Sequence, residues 1–294
     1  MTREDIGRES PANEASTHRR NATSLATTSS PTPASPLPLS IFLITRNEAD
    51  RIGRTLEAVR GLTDDLVVVD SGSSDGTQAI AESFGAEVVF NAWPGYGPQK
   101  RFAEARCRHR WVLNLDADEV MPPALVAEVR ALFAAGEPPC AAYEIAVAEV
   151  FPGESEPHRW AYSLAPVRLY RTDRGGYVES LVHDRVELAP GGKVGRLNGR
   201  IHHFSVRSLG EQIAKLNAYT ELQAEDLERR GIRLPAWRLF VEFPTAFVKA
   251  YFGRRHFVRG LYGVTTAANY AFFRYLRLAK HLERRRLNRS GGES

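Results

Sequence analysis

From residue 40 onwards, runs of apolar residues alternate with amphipathic segments, which predicts strands alternating with helices. Short continuous apolar runs are typical of strands buried on both faces, whereas apolar positions spaced three and four apart indicate helices. The predicted strands are 40–44, 66–69, 87–90 and 111–115, and the predicted helices are 49–60, 77–84, 98–109 and 122–135. This order favours an α/β fold with a mostly parallel central sheet, right-handed crossovers and helices on both faces.

The pattern changes after residue 141. Tyr143, Ile145 and Val147 alternate with other residues, as in a strand with one side facing solvent. Residues 166–170 and 186–188 are further predicted strands. Because such alternation is typical of antiparallel pairs, we expect this half of the chain to contribute antiparallel strands.

Helices are predicted for the last third of the chain. Ser208 and Glu211 form a capping box, which predicts a helix that runs to about Arg230 and ends at Gly231. Residues 235–285 then have the spacing of helices rich in aromatic residues. One apolar stripe along these helices contains Trp237, Phe240, Val241, Pro244, Val248 and Tyr251.

The ends of the chain differ in composition from its centre. Residues 1–38 are rich in Ser, Thr, Pro and Ala and nearly lack large apolar groups, so we expect a disordered tail. This tail has no apolar stretch like that of a secretory signal, and its acidic residues argue against a transit peptide. We expect an α/β domain at 39–230, with halves 39–136 and 137–230, and a basic aromatic helical extension at 231–294.

The net charge of +4 conceals an asymmetry, because residues 249–289 contain eleven Lys or Arg and one Glu. A cationic, aromatic extension indicates contact with a phosphate-rich or anionic lipid surface, with packing against the domain as the alternative. Within the C-terminal extension, the longest uncharged run, 260–273, has fourteen residues, fewer than the roughly 20 of a spanning helix. We therefore expect no transmembrane segment, but peripheral contact with the inner face of the cytoplasmic membrane.

The composition is otherwise ordinary for a globular protein, with 43% apolar and 25% charged residues. The two cysteines, Cys107 and Cys140, are too few for a disulfide framework and lack the spacing of a zinc site. A reducing, cytoplasmic setting is expected.

The strongest chemical signal follows the fourth predicted strand, where Asp116 and Asp118 are two residues apart. Residues with this spacing in a strand point to the same face, so two carboxylates can bind one divalent cation, directly or through water. Such a cation could hold a diphosphate and neutralise its charge as it leaves. A phosphatase with an aspartyl nucleophile shares this pattern, but it needs the motif on its first strand and an acidic pair downstream.

A second polar loop, residues 70–77, follows the second predicted strand. Asp70 could accept a hydrogen bond from the imide N–H of a base, which uracil offers and cytosine lacks. Asp75 could hold a ribose hydroxyl, and Gly72 permits a tight turn and close backbone approach. The alternative is an ordinary polar loop in which Asp75 caps the next helix.

Two further loops have weaker signals. Residues 45–48 follow the first strand, where they could meet the same nucleotide, although Asn47 or Asp50 could simply cap a helix. Lys100 and Arg101 follow a Gly/Pro-rich loop, and we expect them on the first turn of a helix, where a diphosphate would be favoured. An exposed basic turn is the alternative.

Taken in order, these loops resemble those of the family 2 glycosyltransferases, which have the GT-A nucleotide-diphospho-sugar transferase fold. The matching segments are Thr45-Arg-Asn-Glu48, Val68 to Thr77 and Leu115-Asp-Ala-Asp-Glu119. The resemblance covers about residues 40–230. It implies an α/β GT-A domain with a mostly parallel central sheet, followed here by a C-terminal helical extension.

The resemblance also implies roles for individual residues. Asp70 and Asp75 would hold uridine with Glu48 nearby, and Asp118 would be the principal ligand of Mg²⁺ or Mn²⁺, with Asp116 as its partner. The residues expected to contact the donor are Thr45, Arg46, Asn47, Glu48, Asp70, Ser71, Gly72, Asp75, Lys100, Asp116 and Ala117.

Within the family, the chain is most similar to a branch that acts on the lipopolysaccharide core. The shared segments are Trp93 to Lys100, Asp116 to Glu119, Val182-His-Asp184 and His203-Phe-Ser205. The chain departs from this branch at Arg101, where Asn is usual, and at Asp184, where Glu is more frequent.

Inversion at the sugar needs a base on the acceptor hydroxyl and a stabilised leaving group. Asp184 is the candidate base, because it lies in the predicted acceptor half and a carboxylate near a metal-bound diphosphate can have a raised pKa. Alternatively Asp184 pairs with Arg185 or Arg168, and Glu179 is the reserve base.

His203 would add a nitrogen ligand to Asp116 and Asp118, with a structural histidine as the alternative. Arg168 and Arg171 would meet phosphates on the acceptor, or else lie on a solvated strand face.

The expected function is thus inverting, metal-dependent transfer of a sugar, with glucose favoured, from a UDP-sugar to a lipid-linked saccharide such as lipopolysaccharide inner core. Another family 2 enzyme of cell-surface polysaccharide or glycolipid synthesis is the enzymatic alternative. A nucleotide-binding scaffold and a nucleic-acid binder are the non-enzymatic ones. We expect no nucleic-acid partner, because the acidic loops would repel phosphate without a metal.

Overall fold

The first half of the chain folds into alternating strands and helices, as predicted. A computed structural model describes residues 35–179 and 185–290. Its first strands are β1 (Leu37–Thr45), β2 (Thr63–Asp70), β3 (Glu87–Phe90) and β4 (Trp111–Asn114), and its first helices are α1 (Ile52–Ala58), α2 (Thr77–Ser83), α3 (Tyr96–Glu104) and α4 (Pro123–Ala134). The four strands are parallel in the order β3-β2-β1-β4, so their carboxyl ends meet at one edge of the sheet.

The central strands are buried on both faces, which explains their continuous apolar runs. In β1, Ile41 and Leu43 belong to one core cluster and Phe42 to a second, because successive side chains of a strand point to opposite faces. The first cluster includes Leu56 of α1 and the second includes Ala103 of α3. Helices therefore cover both faces of the sheet.

Several predicted boundaries are wrong, among them the ends of α1 and β2 and the starts of β1 and α3. β1 already begins at Leu37, inside the segment predicted as a tail, and its register shifts between Leu37 and Ser40. Pro38, which has no N–H to donate, lies within that shift. Residues 1–34 of the predicted tail lie outside the described residues. Helix α3 spans Tyr96–Glu104 rather than 98–109.

The second half of the chain extends the same sheet. Its strands are β5 (Glu119–Val120), β6 (Ala142–Glu149), β7 (Ser163–Leu164), β8 (Val167–Arg171), β9 (Gly175–Tyr177), β10 (Val186–Leu188) and β11 (Val194–His203). The order continues as β4-β8-β6-β11-β5, while β9 and β10 form a separate antiparallel pair. The antiparallel prediction holds for β8 against β4 and β6, but β11 runs parallel to β6. The end of β11 thereby lies beside β5, which follows the Asp116–Asp118 motif.

Three long helices complete the described chain: α5 (Leu209–Arg229), α6 (Arg238–Val248) and α7 (Gly260–Ser290). The predicted cap of α5 is present, because Ser208 Oγ accepts a hydrogen bond from the Glu211 N–H at 3.1 Å. A π-helical turn (Lys249–Gly253) and a 3₁₀ turn (His256–Arg259) join α6 to α7. Across residues 35–179 and 185–290, no helix has both the length and the hydrophobicity to span a bilayer.

Candidate active site

A cavity of about 720 Å³ opens at the carboxyl ends of β1 and β4. Parallel α/β sheets bind ligands at this edge, and the volume is in the range of small-molecule sites. The cavity is lined by Ile44, Thr45, Arg46, Glu48, Trp93, Tyr96, Asp116, Ala117, Asp118 and His203, by Lys215, Tyr219, Leu222, Gln223, Asp226, Leu227 and Arg230 of the α5 region, and by Arg277 of α7. Seven of the predicted site residues thus share one cavity.

Asp118 and His203 are adjacent in the lining of this cavity. Nε2 of His203 lies 3.3 Å from Oδ1 of Asp118, and Nη1 of Arg51 lies 3.3 Å from Oδ2 of Asp118. Burial disfavours the charged form of both groups, but their hydrogen bond and mutual attraction outweigh it. The pKa of Asp118 is therefore held below its ordinary value, and that of His203 is raised to about 9.

Asp116 is held by two buried cations. Its Oδ1 lies 3.0 Å from Nζ of Lys100, and its Oδ2 lies 3.2 Å from Nη2 of Arg168. Arg168 also donates hydrogen bonds to Asn114 and Glu119. Burial opposes ionisation of Asp116, but Lys100 and Arg168 reverse the balance and hold its pKa well below the ordinary value. The Asp116 carboxylate is therefore ionised and fixed in orientation.

The side chains at this point fit a divalent cation in part. Asp118 and His203 present an oxygen and a nitrogen 3.3 Å apart in the cavity lining. The carboxylate oxygen suits Mg²⁺ or Mn²⁺, whereas the imidazole nitrogen suits a transition-metal ion such as Mn²⁺ better than Mg²⁺. Both oxygens of Asp116 already have protein partners. Within the described ranges, no group of three His, Cys, Asp or Glu side chains is arranged to hold a metal. Asp118 and His203 would therefore bind a cation in place of their contact with each other, once His203 has lost its proton, and the other ligands would come from the donor or from water.

Lys100 does not lie where we predicted. Because α3 begins at Tyr96, Lys100 falls in the second turn of the helix rather than the first, and its side chain is only 1% exposed. Its ammonium contacts Asp116 and lies 5.3 Å from the centre of the Tyr177 ring. Lys100 therefore positions Asp116 and is remote from the helix N-terminus. Its neighbour Arg101 is half exposed.

Asp70 is fully buried and organises its own loop. Its carboxylate accepts hydrogen bonds from Thr45 Oγ1, the Gly72 and Ser73 N–H groups, Ser73 Oγ and Gln78 Nε2. Burial alone would raise the pKa of Asp70, but these hydrogen bonds lower it. In this conformation all of its acceptor positions are engaged within the chain, so contact with a base remains a prediction.

Ser71 and Gly72 lie beside it. Gly72 has φ +91°, a left-handed conformation that favours glycine and turns its N–H toward Asp70 at 2.9 Å. Ser71 Oγ accepts a hydrogen bond from the buried Gln99 at 3.0 Å. This contact joins the loop after β2 to helix α3.

The first and second polar loops are bound to each other. Asn47 Oδ1 accepts a hydrogen bond from the Ser74 N–H at 2.9 Å, and Asp75 Oδ2 accepts one from the Ala49 N–H at 3.1 Å. Asp75 Oδ1 also accepts one from the Thr77 N–H at 3.1 Å, but the N-cap of α2 is Gly76, so the alternative in which Asp75 caps this helix is wrong. These bonds fix the two loops at neighbouring strand ends as one unit.

The predicted acceptor-side residues have mixed outcomes. Asp184, the candidate base, lies outside the described residues. The reserve base Glu179 is 73% exposed and lies 3.4 Å from Arg101. The expectation that Arg168 meets acceptor phosphates is wrong, because its guanidinium is buried against Asp116 and Glu119. Arg171 pairs with Asp173 at 2.7 Å.

Comparison with known proteins agrees with this geometry. The sequence model described as Glycosyl transferase family 2 matches residues 40–186, which include both polar loops and the Asp116–Asp118 motif. The chain belongs to glycosyltransferase family 2. It is an enzyme of the GT-A fold, with the mixed, mostly parallel sheet described above.

Relatives of this glycosyltransferase extend over most of its length. It is 38% identical over 250 residues to an uncharacterized glycosyltransferase of Rickettsia prowazekii. The aligned region covers 82% of this chain and 86% of that protein. The chain is 32% identical over 266 residues to the lipopolysaccharide core biosynthesis glycosyltransferase LpsC of Rhizobium meliloti, with coverage of 85% and 94%.

Two solved structures are also similar to it. TarS 1–349 of S. aureus has a TM-score of 0.45 at 15% identity and covers 85% of this chain and 92% of that chain. Glucosyl-3-phosphoglycerate synthase of Mycobacterium tuberculosis, in complex with Mn²⁺, UDP and glucosyl-3-phosphoglycerate, has a TM-score of 0.30 at 27% identity, over 39% and 44% of the two chains. Both similarities are distant, and neither identifies the donor or the metal of this chain.

Two arginines that support the site of this glycosyltransferase, Arg51 and Arg207, were not predicted from the sequence. Arg51 contacts Glu48 and Asp118 and donates a hydrogen bond to the Phe204 carbonyl at 3.0 Å. Arg207 lies 3.0 Å from Oε2 of Glu48 and 2.7 Å from Oδ2 of Asp50. Burial raises the pKa of Glu48, and Arg51 opposes that rise. The two arginines therefore join the first loop to the segment after β11.

Proposed function

We propose that this family 2 enzyme is an inverting, metal-dependent glycosyltransferase that moves glucose from UDP-glucose to a lipid-linked saccharide such as lipopolysaccharide inner core. The main support for this proposal is one cavity. Asp116, Asp118 and His203 line it at the sheet edge, and residues of α5 and α7 form its opposite wall. The core-biosynthesis name of the relative LpsC supports the choice of acceptor.

In this proposal the donor lies against the strand ends. Thr45, Arg46 and Glu48 line the cavity beside the loop that Asp70 organises, and the uridine contacts this region. Asp70 can contact the base only if one of the groups that now donate hydrogen bonds to it, such as Gln78 Nε2, moves away. Asp75, which is exposed, remains the candidate for a ribose hydroxyl.

Asp118 and His203 are the residues that would hold the divalent cation, with Asp116 ordered behind them by Lys100 and Arg168. When bound, such a cation neutralises charge that develops on the departing diphosphate. His203 must be neutral to act as a ligand. Asp184 would take the proton from the attacking acceptor hydroxyl. The hydroxyl oxygen forms a bond to the sugar carbon as the bond from that carbon to the diphosphate breaks on the opposite face and UDP leaves.

Nucleotide titration tests the donor assignment. We expect UDP to bind more tightly than CDP or GDP, and Mn²⁺ to strengthen UDP binding by about tenfold or more, because each oxygen contact to the cation favours the diphosphate. Calorimetry with UDP, GDP and CDP, each with Mn²⁺ and with EDTA, measures both effects. Tighter binding of GDP would overturn the choice of UDP, and equal binding in EDTA would overturn the metal dependence.

We further propose that α6 rests on the membrane surface. Trp237, Phe240, Val241, Pro244 and Val248 form an exposed stripe, hereafter the α6 stripe, in which Phe240 is 84% exposed. The opposite side of α6 is buried and includes Glu242, which pairs with Arg274 of α7 at 2.7 Å. Exposed Lys249 and Arg255 lie in the segment that follows. Aromatic groups flanked by basic residues match an anionic lipid surface.

Vesicle binding tests the α6 stripe. We expect the double variant Trp237→Ala/Phe240→Ala to bind vesicles of anionic phosphatidylglycerol at least about tenfold more weakly, because two aromatic side chains no longer enter the interface. Phe90→Ala, which removes another exposed ring, is the matched control and should bind like wild type. Cosedimentation measures the partition. Unchanged binding by the double variant would remove α6 from the proposed contact.

A further inference from the structure

Arg277 of α7 is a cavity residue with an unusual environment. Its side chain is 21% exposed, yet it lines the same cavity as Asp118 and His203. Its Nε is buried and has no hydrogen-bond partner within the part of the chain that the structure describes. Burial lowers the pKa of Arg277, and neighbouring Arg274 lowers it further. A partly buried guanidinium with an unsatisfied N–H is costly unless an anion completes its contacts.

The nearby carboxylate does not complete them. Glu242 Oε1 lies 3.9 Å from Arg277 but only 2.7 Å from Arg274, and Glu242 Oε2 lies 2.9 Å from Arg238. Both oxygens of Glu242 are therefore engaged by the other two arginines. Three guanidinium groups surround one carboxylate, so positive charge is in excess where α7 reaches the cavity.

The cavity wall formed by α5 and α7 offers both apolar surface and positive charge, which suits a saccharide that carries an anionic group. Tyr219 and Leu222 of α5 line the cavity and are 39% and 62% exposed, so they offer an apolar face to a sugar ring. Arg230, at the end of α5, lines it too, and its nearest carboxylate, Asp226, is 3.5 Å away. The wall thus combines an apolar centre with three basic side chains, those of Arg277, Arg230 and Lys215, and one carboxylate, Asp226.

An oxyanion at this wall could come from either substrate. The donor diphosphate is expected at the sheet edge, beside Asp118 and His203, whereas Arg277 and Arg230 belong to the C-terminal helices. We propose that Arg277, with Arg230, binds a phosphate or carboxylate group carried by the acceptor saccharide. This proposal rests on the proposed function and adds that the acceptor is anionic close to the hydroxyl that is glycosylated.

The test uses direct binding, so that it does not depend on turnover. The probe is core oligosaccharide released from cells that lack this protein, used untreated and after its phosphates are removed and its carboxylates esterified. Calorimetry on the full chain with UDP and Mn²⁺ present measures the oligosaccharide Kd, and a separate titration measures the UDP Kd. Arg277→Gln is compared with Arg285→Gln, a matched change about two turns later on α7 at a residue that does not line the cavity.

We expect Arg277→Gln to raise the Kd of untreated oligosaccharide by about 10–100-fold, because a charge-assisted, two-pronged contact is lost. Neutralised oligosaccharide should bind wild type as weakly as untreated oligosaccharide binds Arg277→Gln, and Arg277→Lys should restore part of the affinity. Arg285→Gln should leave this Kd unchanged, and thermal unfolding checks that each variant is folded.

Equal oligosaccharide binding by Arg277→Gln and wild type would overturn the proposal, as would a rise in the UDP Kd alone, since the anion would then be the donor diphosphate. If Arg277→Gln does not fold, the deciding measurement is the Kd of neutralised oligosaccharide for wild type. A Kd equal to that of untreated oligosaccharide would overturn the proposal. Failure of wild type to bind UDP would instead count against the proposed function.

Discussion

Replacement of Asp118 by alanine is expected to reduce the rate of sugar transfer by about 10³-fold. Asp118 lies against His203 and Arg51 in the cavity lining, and it is the carboxylate best placed to hold a cation with His203. Its loss removes the oxygen ligand. The positive charge of Arg51 is then no longer offset by Asp118 and repels a cation at this point. Initial rates with UDP-glucose and Mn²⁺ measure the effect.

Asp64→Ala is the matched control for this variant. Asp64 lies near the amino end of β2, pairs with His109 at 2.8 Å and is exposed, so its loss should change the rate by less than about twofold. Transfer by a folded Asp118→Ala protein at a rate within a few-fold of wild type would show that the motif does not serve the reaction.

Replacement of Asp184 by asparagine is expected to lower the rate of transfer by about 10²–10⁴-fold, the usual contribution of a general base. An amide of the same shape cannot accept the proton of the acceptor hydroxyl, but it leaves the donor side of the cavity unaltered. UDP should therefore bind to Asp184→Asn with wild-type affinity. Rates and UDP titrations on the same preparation separate catalysis from binding.

Glu179→Gln is the companion variant. Glu179 is exposed and paired with Arg101, so we expect its rate to stay within a few-fold of wild type. If Glu179→Gln loses transfer while Asp184→Asn keeps it, the assignment of the base is reversed. If neither variant loses transfer, both carboxylates are excluded as the base.

Local features of the sequence predicted much of the fold. The bounds of β3 were predicted to the residue, and the cap at Ser208 was predicted from its spacing to Glu211. Both depend only on neighbouring residues, namely an apolar run between breakers and a polar pair three residues apart. The proximity of the first loop to the Asp116–Asp118 motif was predicted from the parallel order of the strands. Loops that follow parallel strands all lie at the same edge of the sheet.

Long-range pairing could not be read from the sequence. Arg168 was expected on the acceptor, but β8 lies antiparallel beside β4, and this places its guanidinium beneath Asp116. Lys100 was misassigned because a shift of two residues in the start of α3 moves a side chain from the exposed first turn to a buried second turn. Arg277 had no signal, because nothing in its neighbourhood along the chain shows that α7 returns to the cavity.

The most direct measurement is the position of the metal in a crystal of the enzyme with Mn²⁺ and UDP, located by anomalous scattering of manganese. We expect one strong peak within coordination distance, about 2.0–2.3 Å, of Asp118 and His203, with diphosphate oxygens as further ligands. Bound UDP with no manganese at these two side chains, or manganese bound elsewhere in the chain, would contradict this expectation.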